Sequence, residues 1–265
     1  MTLKAYQQST LDVLKRFFEA CRIMGAEEAY RKITSEKNIA ARLAGLCKKY
    51  VRWESIPNTP RVCLKIPTGG GKTVLAAHAT KVVSDTWLEK EYPVVLWFTP
   101  RDMIRRQTCE ALKNPRHPYR MALDEKFDGR VRIFDIDEKF MIRPTDIENN
   151  ACVIVSTNAA FSKEDTSKYN VYKDNENLEA HFLKMSKCDG MEMKEDGSRA
   201  KYSFANLLFH HRPIMIVDEA HNVISELSQE TQRRINPSAI VELTATPLRD
   251  SRLPYDGTVC VDDED

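Results

Sequence analysis

The sequence Pro67-Thr68-Gly69-Gly70-Gly71-Lys72-Thr73 stands between an apolar run at 62–66 and the helical stretch VLAAHATKVV. No other feature limits the fold as tightly. Three adjacent glycines let the chain turn with its N–H groups converging, and the helix that follows adds the partial positive charge of its N-terminus. Strand, glycine-rich turn and helix start together make an anion cradle suited to phosphate oxygens. Within it Lys72 can reach β- and γ-phosphates, and the Thr73 hydroxyl can ligate Mg²⁺. The pattern G-x-x-x-x-G-K-[ST] fails only at its first position, where Ile66 replaces glycine. The remaining glycines can still form the turn.

Apolar runs of strand length recur at 62–66, 94–98, 131–134, 152–156, 214–217 and 240–244, separated by helical stretches. Most lack polar alternation, as strands covered on both faces do. The expected fold is therefore α/β, with a mainly parallel sheet flanked by helices. Helices precede it. Leu11, Leu14, Phe18 and Cys21 recur at helical spacing, as do Ile39, Leu43, Leu46 and Tyr50. Two prolines in 56–60 close that region. From about 162 to 205 the rhythm is lost in a stretch rich in Lys, Glu, Asp and Asn. It reads as an insertion on the sheet's edge, a solvated surface rather than a docking device, with a short helix near 178–185 and a mobile tip near 189–200.

Two further motifs end apolar runs. Asp218-Glu219-Ala220-His221 puts adjacent carboxylates at a strand end, where Asp218 can hold a magnesium shell and Glu219 can orient and deprotonate a water. Downstream, Leu243-Thr244-Ala245-Thr246-Pro247 offers small hydroxyl residues that can hydrogen-bond those carboxylates and the histidine. Lys72, Asp218, Glu219 and His221 make the candidate catalytic set, and Thr244, Ala245 and Thr246 the candidate coupling segment.

These three blocks, in this order, resemble superfamily 2 helicases and translocases of the DEAD/DEAH-box type, most of all the res subunit of type III restriction enzymes. The resemblance covers the first RecA-like lobe only. It implies that Tyr6 and Gln7 read adenine, so that the nucleotide set runs through Tyr6, Gln7 and Pro67 to Thr73. It implies nucleic-acid contacts at Thr99-Pro100-Arg101 and at Ser156-Thr157-Asn158, gripping phosphates without reading sequence. Gln107 can help position the first of these, whereas Arg105-Arg106 reads as a solvated face. The expected domains are an N-terminal helical segment at 1–60, a RecA-like P-loop lobe at 61–250, and the start of an interlobe linker at 251–265 in a truncated chain. Implied partners are ATP with Mg²⁺, double-stranded DNA, a second RecA-like lobe, a nuclease domain and a methyltransferase subunit for modification. Other readings stay open: the motor of a type I restriction, repair or stand-alone defence helicase, or a nucleotide-switched module that moves nothing.

Composition removes several classes. Forty basic residues against thirty-nine acidic give a net charge of +1, which excludes a polycationic packager but leaves room for a locally basic groove. No apolar run approaches the roughly 18–20 residues of a membrane span, and MTLKAYQQST lacks a secretory h-region, so a cytoplasmic protein is expected. The seven cysteines show no C-x-x-C spacing and read as reduced, buried thiols. His210-His211 lacks partners at metal spacing, and Trp97 and Trp53 read as packing residues.

Overall fold

The computed structural model describes residues 3–42, 50, 52–161, 171–183, 185, 190–219, 229–245 and 258–260. Its strands are β1 (Arg61–Lys65), β2 (Val94–Phe98), β3 (Val131–Asp135), β4 (Ala151–Ser156), β5 (Ile214–Asp218), β6 (Ala239–Thr244) and β7 (Thr258–Cys260). They form one sheet in the order β3-β4-β2-β5-β6-β1-β7, and every pairing is parallel. Six strands match the apolar runs. The seventh, three residues beside β1, has too short a run to register as a period.

The helices are α1 (Ala5–Met24), α2 (Ala26–Thr34), α3 (Lys37–Arg42), α4 (Lys72–Val83), α5 (Asp102–Lys113), α6 (Pro118–Lys126), α7 (Pro144–Asn149), α8 (Glu179–Phe182), α9 (Phe204–His211) and α10 (Gln229–Ile235). Among the described residues, none is long and apolar enough to cross a membrane. Because successive strand residues point to opposite faces, β2 sends Val95 and Trp97 to one core and Leu96 and Phe98 to the other. On the first face α1 contributes Leu11, Leu14, Phe17 and Phe18, and α4 contributes Leu75, Ala76, Ala77 and Ala79. The alanines let α4 lie close to the sheet, which holds the loop before it firmly at the end of β1. Tyr50 is buried on this face too, but outside any helix; positions 43 and 46 of the expected helical stripe lie outside the described residues.

The second face corrects the expectation for the insertion. Its described part lies over the sheet, not on its edge. Val171, Leu178, Phe182, Met191 and Phe204 pack with Leu96, Phe98, Ile154 and Val217 in one core. The expected short helix is α8, a single turn entered through a 3-10 turn at Glu176–Leu178. The expected mobile tip is a bonded hairpin: Met193 bridges Ala200, and Lys194 and Arg199 exchange a backbone hydrogen bond of 2.9 Å. Arg199 grips both Asp174 oxygens at 3.0 Å and stacks on the Tyr202 ring. Several of the charges that made the stretch look solvated pair with one another: Asp174 with Arg199 and Lys194, and Glu192 with Lys201.

Arg105 is a second correction. It is fully buried, and its guanidinium meets Asp102 at 2.9 Å, Asp135, and Asp137 at 3.4 Å. A helical face that looked solvated in the sequence is half ion-paired interior, because the carboxylates at the end of β3 are distant in sequence from α5. Arg106, by contrast, is exposed. Cys21, Cys63, Cys109 and Cys152 are buried free thiols, and burial pushes the Cys21 thiol up to about 12. Trp97 is fully buried, and Trp53 packs under Arg61 at 4.4 Å.

Candidate functional site

In a parallel sheet all strand C-termini share one edge, and here the described part of each strand-end motif sits on it. Reading across the strand order, β4 ends at Ser156, β2 leads into Thr99-Pro100-Arg101, β5 ends at Asp218, β6 at Thr244, and β1 enters the glycine loop. The loop, the carboxylates and Thr244 thus belong to three adjacent strands, and the other two segments to the next two. Neighbouring strands lie about 4.8 Å apart, so the two groups are within about 20 Å of each other.

The loop explains its own departure from the glycine pattern. Ile66 is still extended: its N–H donates to the Thr244 carbonyl at 2.9 Å, one residue beyond β1, and its side chain is fully buried. A residue in that state needs no glycine. Reversal falls on Gly69 and Gly71, both at positive φ, 81° and 75°. Gly70 has a different reason to be glycine. A Cβ there would stand 2.8 Å from the Ile66 side chain and 3.0 Å from the Pro67 carbonyl. Thr68 and Gly69 are exposed at the tip, and Lys72 opens α4, so its N-terminal N–H groups face the loop.

Lys72 Nζ lies 2.9 Å from Glu219 Oε1. Asp218, the last residue of β5, is buried and hydrogen-bonded by the Thr73 side chain and by the Glu219 N–H at 3.0 Å. Burial, reinforced by the Glu219 charge, pushes its carboxyl up to about 6 in spite of Lys72. Glu219 sits at φ 51°, a left-handed conformation that non-glycine residues rarely adopt. That turn is what aims its carboxylate back across the sheet edge at Lys72. Two oxygen ligands side by side, Asp218 and Thr73, are the donor chemistry that Mg²⁺ takes when the rest of its shell is water and phosphate.

Tyr6 and Gln7 reach the same loop from the first turn of α1. The Tyr6 hydroxyl donates to the Gly70 carbonyl at 2.7 Å, and Gln7 Nε2 donates to it at 3.0 Å. Gln7 Oε1 accepts from the Lys4 N–H at 3.0 Å, and the side chain is buried. A Cβ on Gly71 would stand 2.7 Å from Gln7 Nε2. The expected adenine readers are therefore built into the loop as a brace, a role no local pattern announces.

The outer segments are less open than expected. Thr99 is fully buried, its N–H and hydroxyl both donating to the Ser156 carbonyl at 2.9 and 3.2 Å. Ser156 is fully buried and Thr157 nearly so, while Pro100 and Asn158 are half-buried and Arg101 is exposed. Thr99 locks the two strand ends together, Arg101 is turned to solvent, and the Asn158 side-chain oxygen is buried. Gln107 is exposed on α5. Thr244 is buried and Ala245 half-buried beside the carboxylates, whereas His221 and Thr246 lie outside the described residues.

A family model described as type III restriction enzyme, res subunit, matches residues 1–249, from the helix that braces the loop to just past the Thr244 segment. No curated protein matches the chain.

Proposed function

The chain belongs to the family of type III restriction enzyme res subunits, and from that premise we propose that this helicase-like ATPase lobe hydrolyses Mg·ATP to drive movement along double-stranded DNA. The observation that carries the reading is the Lys72–Glu219 contact beside the Asp218–Thr73 hydrogen bond. A cation, a general base and a metal-ligand pair converge at the mouth of a glycine cradle. Phosphate oxygens entering the cradle compete with Glu219 for Lys72. Release of Glu219 from that pair frees its carboxylate to orient the attacking water and take its proton. Asp218 and Thr73 would hold Mg²⁺, which neutralises charge on the phosphate oxygens. Tyr6 and Gln7 would read the adenine edge while still bracing Gly70, and Thr244 to Thr246 would link the carboxylates to the rest of the lobe. Arg101, Pro100 and Asn158 would meet the DNA backbone, with Thr99, Ser156 and Thr157 holding their strand ends in register. His221 would complete the catalytic set.

In this reading the lobe works against a second RecA-like lobe that supplies arginine to the transferring phosphoryl, beside a nuclease domain and a methyltransferase subunit. The test is ATP turnover by the complete subunit with and without duplex DNA. DNA should stimulate it, and Lys72→Ala should abolish the stimulated rate and weaken nucleotide binding about tenfold or more, as loss of a charge-assisted contact does. A nucleotide-binding module that moves nothing would bind ATP with no response to DNA, and that result would replace this reading.

A further inference from the structure

The two groups of motifs need a physical connection, and one runs through the insertion. Behind the DNA-facing segment Ser156-Thr157-Asn158, the chain makes a 3-10 turn, Asn158–Phe161. The Tyr172 hydroxyl donates to the carbonyl of Phe161, the turn's last residue, at 3.1 Å. The same phenol shares a hydrogen bond with Thr231 on α10, and its ring lies 4.5 Å beneath the guanidinium of Arg234, one turn further along. Arg234 in turn pairs with Glu192 of the hairpin at 3.2 Å and with Glu230 at 3.1 Å. Glu192 is itself fixed: Lys201 meets its carboxylate at 2.6 Å, and buried Asn206 bonds both its N–H and its carbonyl.

The helix so gripped, α10, stands in the chain between Glu219 and β6, the strand that ends at Thr244. What the polar contacts add is geometry: they tie the turn behind the DNA segment to the helix between the two ATPase motifs. We propose that Tyr172 and Arg234 are positioning residues that couple DNA contact at the Asn158 turn to ATP turnover at Glu219, with the insertion as the bridge. The inference rests on the motor reading above.

The experiment uses the complete subunit carrying Tyr172→Phe, Arg234→Lys or both. Tyr172→Phe keeps the ring under Arg234 but removes the hydroxyl, and Arg234→Lys keeps the charge toward Glu192 but loses the planar stack. Basal turnover, KM for ATP and the thermal midpoint should change little. The stimulation by duplex DNA should fall about threefold to tenfold in each single variant, the scale on which interior contacts alter coupling. The double variant should fall no further than the worse single, because both act through one link. A stimulation ratio equal to wild type in both single variants would overturn the assignment. So would basal and stimulated rates that decline in parallel with the thermal midpoint, which marks a structural role alone. A wild-type subunit unresponsive to DNA would instead overturn the motor reading, and this inference with it.

Discussion

Lys72 and Glu219, 2.9 Å apart, neutralise one another at the mouth of the cradle. Lys72 is largely buried and Glu219 about a third exposed, at 10% and 32%, so their attraction is only partly screened by water. In the proposed reading nucleotide binding breaks this pair, so Glu219 would oppose binding even as it served hydrolysis. Glu219→Gln keeps the shape and removes the charge. It should tighten nucleotide binding by about 1.5- to 5-fold, the worth of a partly exposed ion pair. In the complete subunit it should slow turnover by about 10²–10⁴-fold, the contribution of a general base. Titration calorimetry and single-turnover hydrolysis separate the two effects. Weaker binding by the Gln variant would show that Glu219 helps hold the nucleotide, and normal turnover would move the base elsewhere.

Among the elements, β1 and β6 are held by more than their backbone ladder. Arg61 and Glu242 form an ion pair in which both side chains are buried, at 7% and 3% exposure, and the guanidinium rests on Trp53. Removing one partner strands a buried charge: Glu242→Ala should cost about 3–5 kcal/mol in urea unfolding, while Arg61→Met with Glu242→Leu should recover most of it. Equal losses for single and double variants would mean that packing, not charge, is at stake. The helix end α9 carries a different sensitivity. Burial, aided by His210 and His181, lowers the His211 imidazole from 6.5 to about 3. The unfolded chain then binds the proton that the folded one refuses, so stability is full above pH 6.5 and is lost as pH falls toward 3. His211→Asn should flatten the thermal midpoint between pH 7 and 5; an unchanged slope would place the titration at other groups. These same elements show what the sequence makes legible. Six strands and the glycine loop announce themselves because apolar runs and loop chemistry are local. Arg105, Asp174 with Arg199, and the Tyr6–Gly70 contact do not, since each pairs residues far apart in the chain and reads locally as solvated charge or a surface helix turn. β7 is missed for want of length.

At the scale of the whole molecule, the sheet edge places its candidate chemistry in two neighbouring groups, and in the proposed reading Lys72 is the cation that the described residues offer to the phosphates. Phosphoryl transfer depends on stabilising charge at the transferring group, and an arginine delivered from outside contributes about 10³–10⁵ in rate. Residues 1–265 by themselves should therefore bind Mg·ATP yet turn it over at least about 10³-fold more slowly than the complete subunit on DNA. The same chain carries a net charge of only +1, and of the expected DNA contacts Arg101 is an exposed cation, with Arg106 exposed nearby on α5. If those two residues meet phosphates, log affinity should fall against log salt with a slope of about −2, far shallower than for a motor that encloses its track. Filter binding across a salt series and a coupled ATPase assay on the same preparation test both expectations. Rapid, DNA-stimulated hydrolysis by this chain alone would sink them, and would mean that the arginine is supplied from within residues 1–265 or from a second copy.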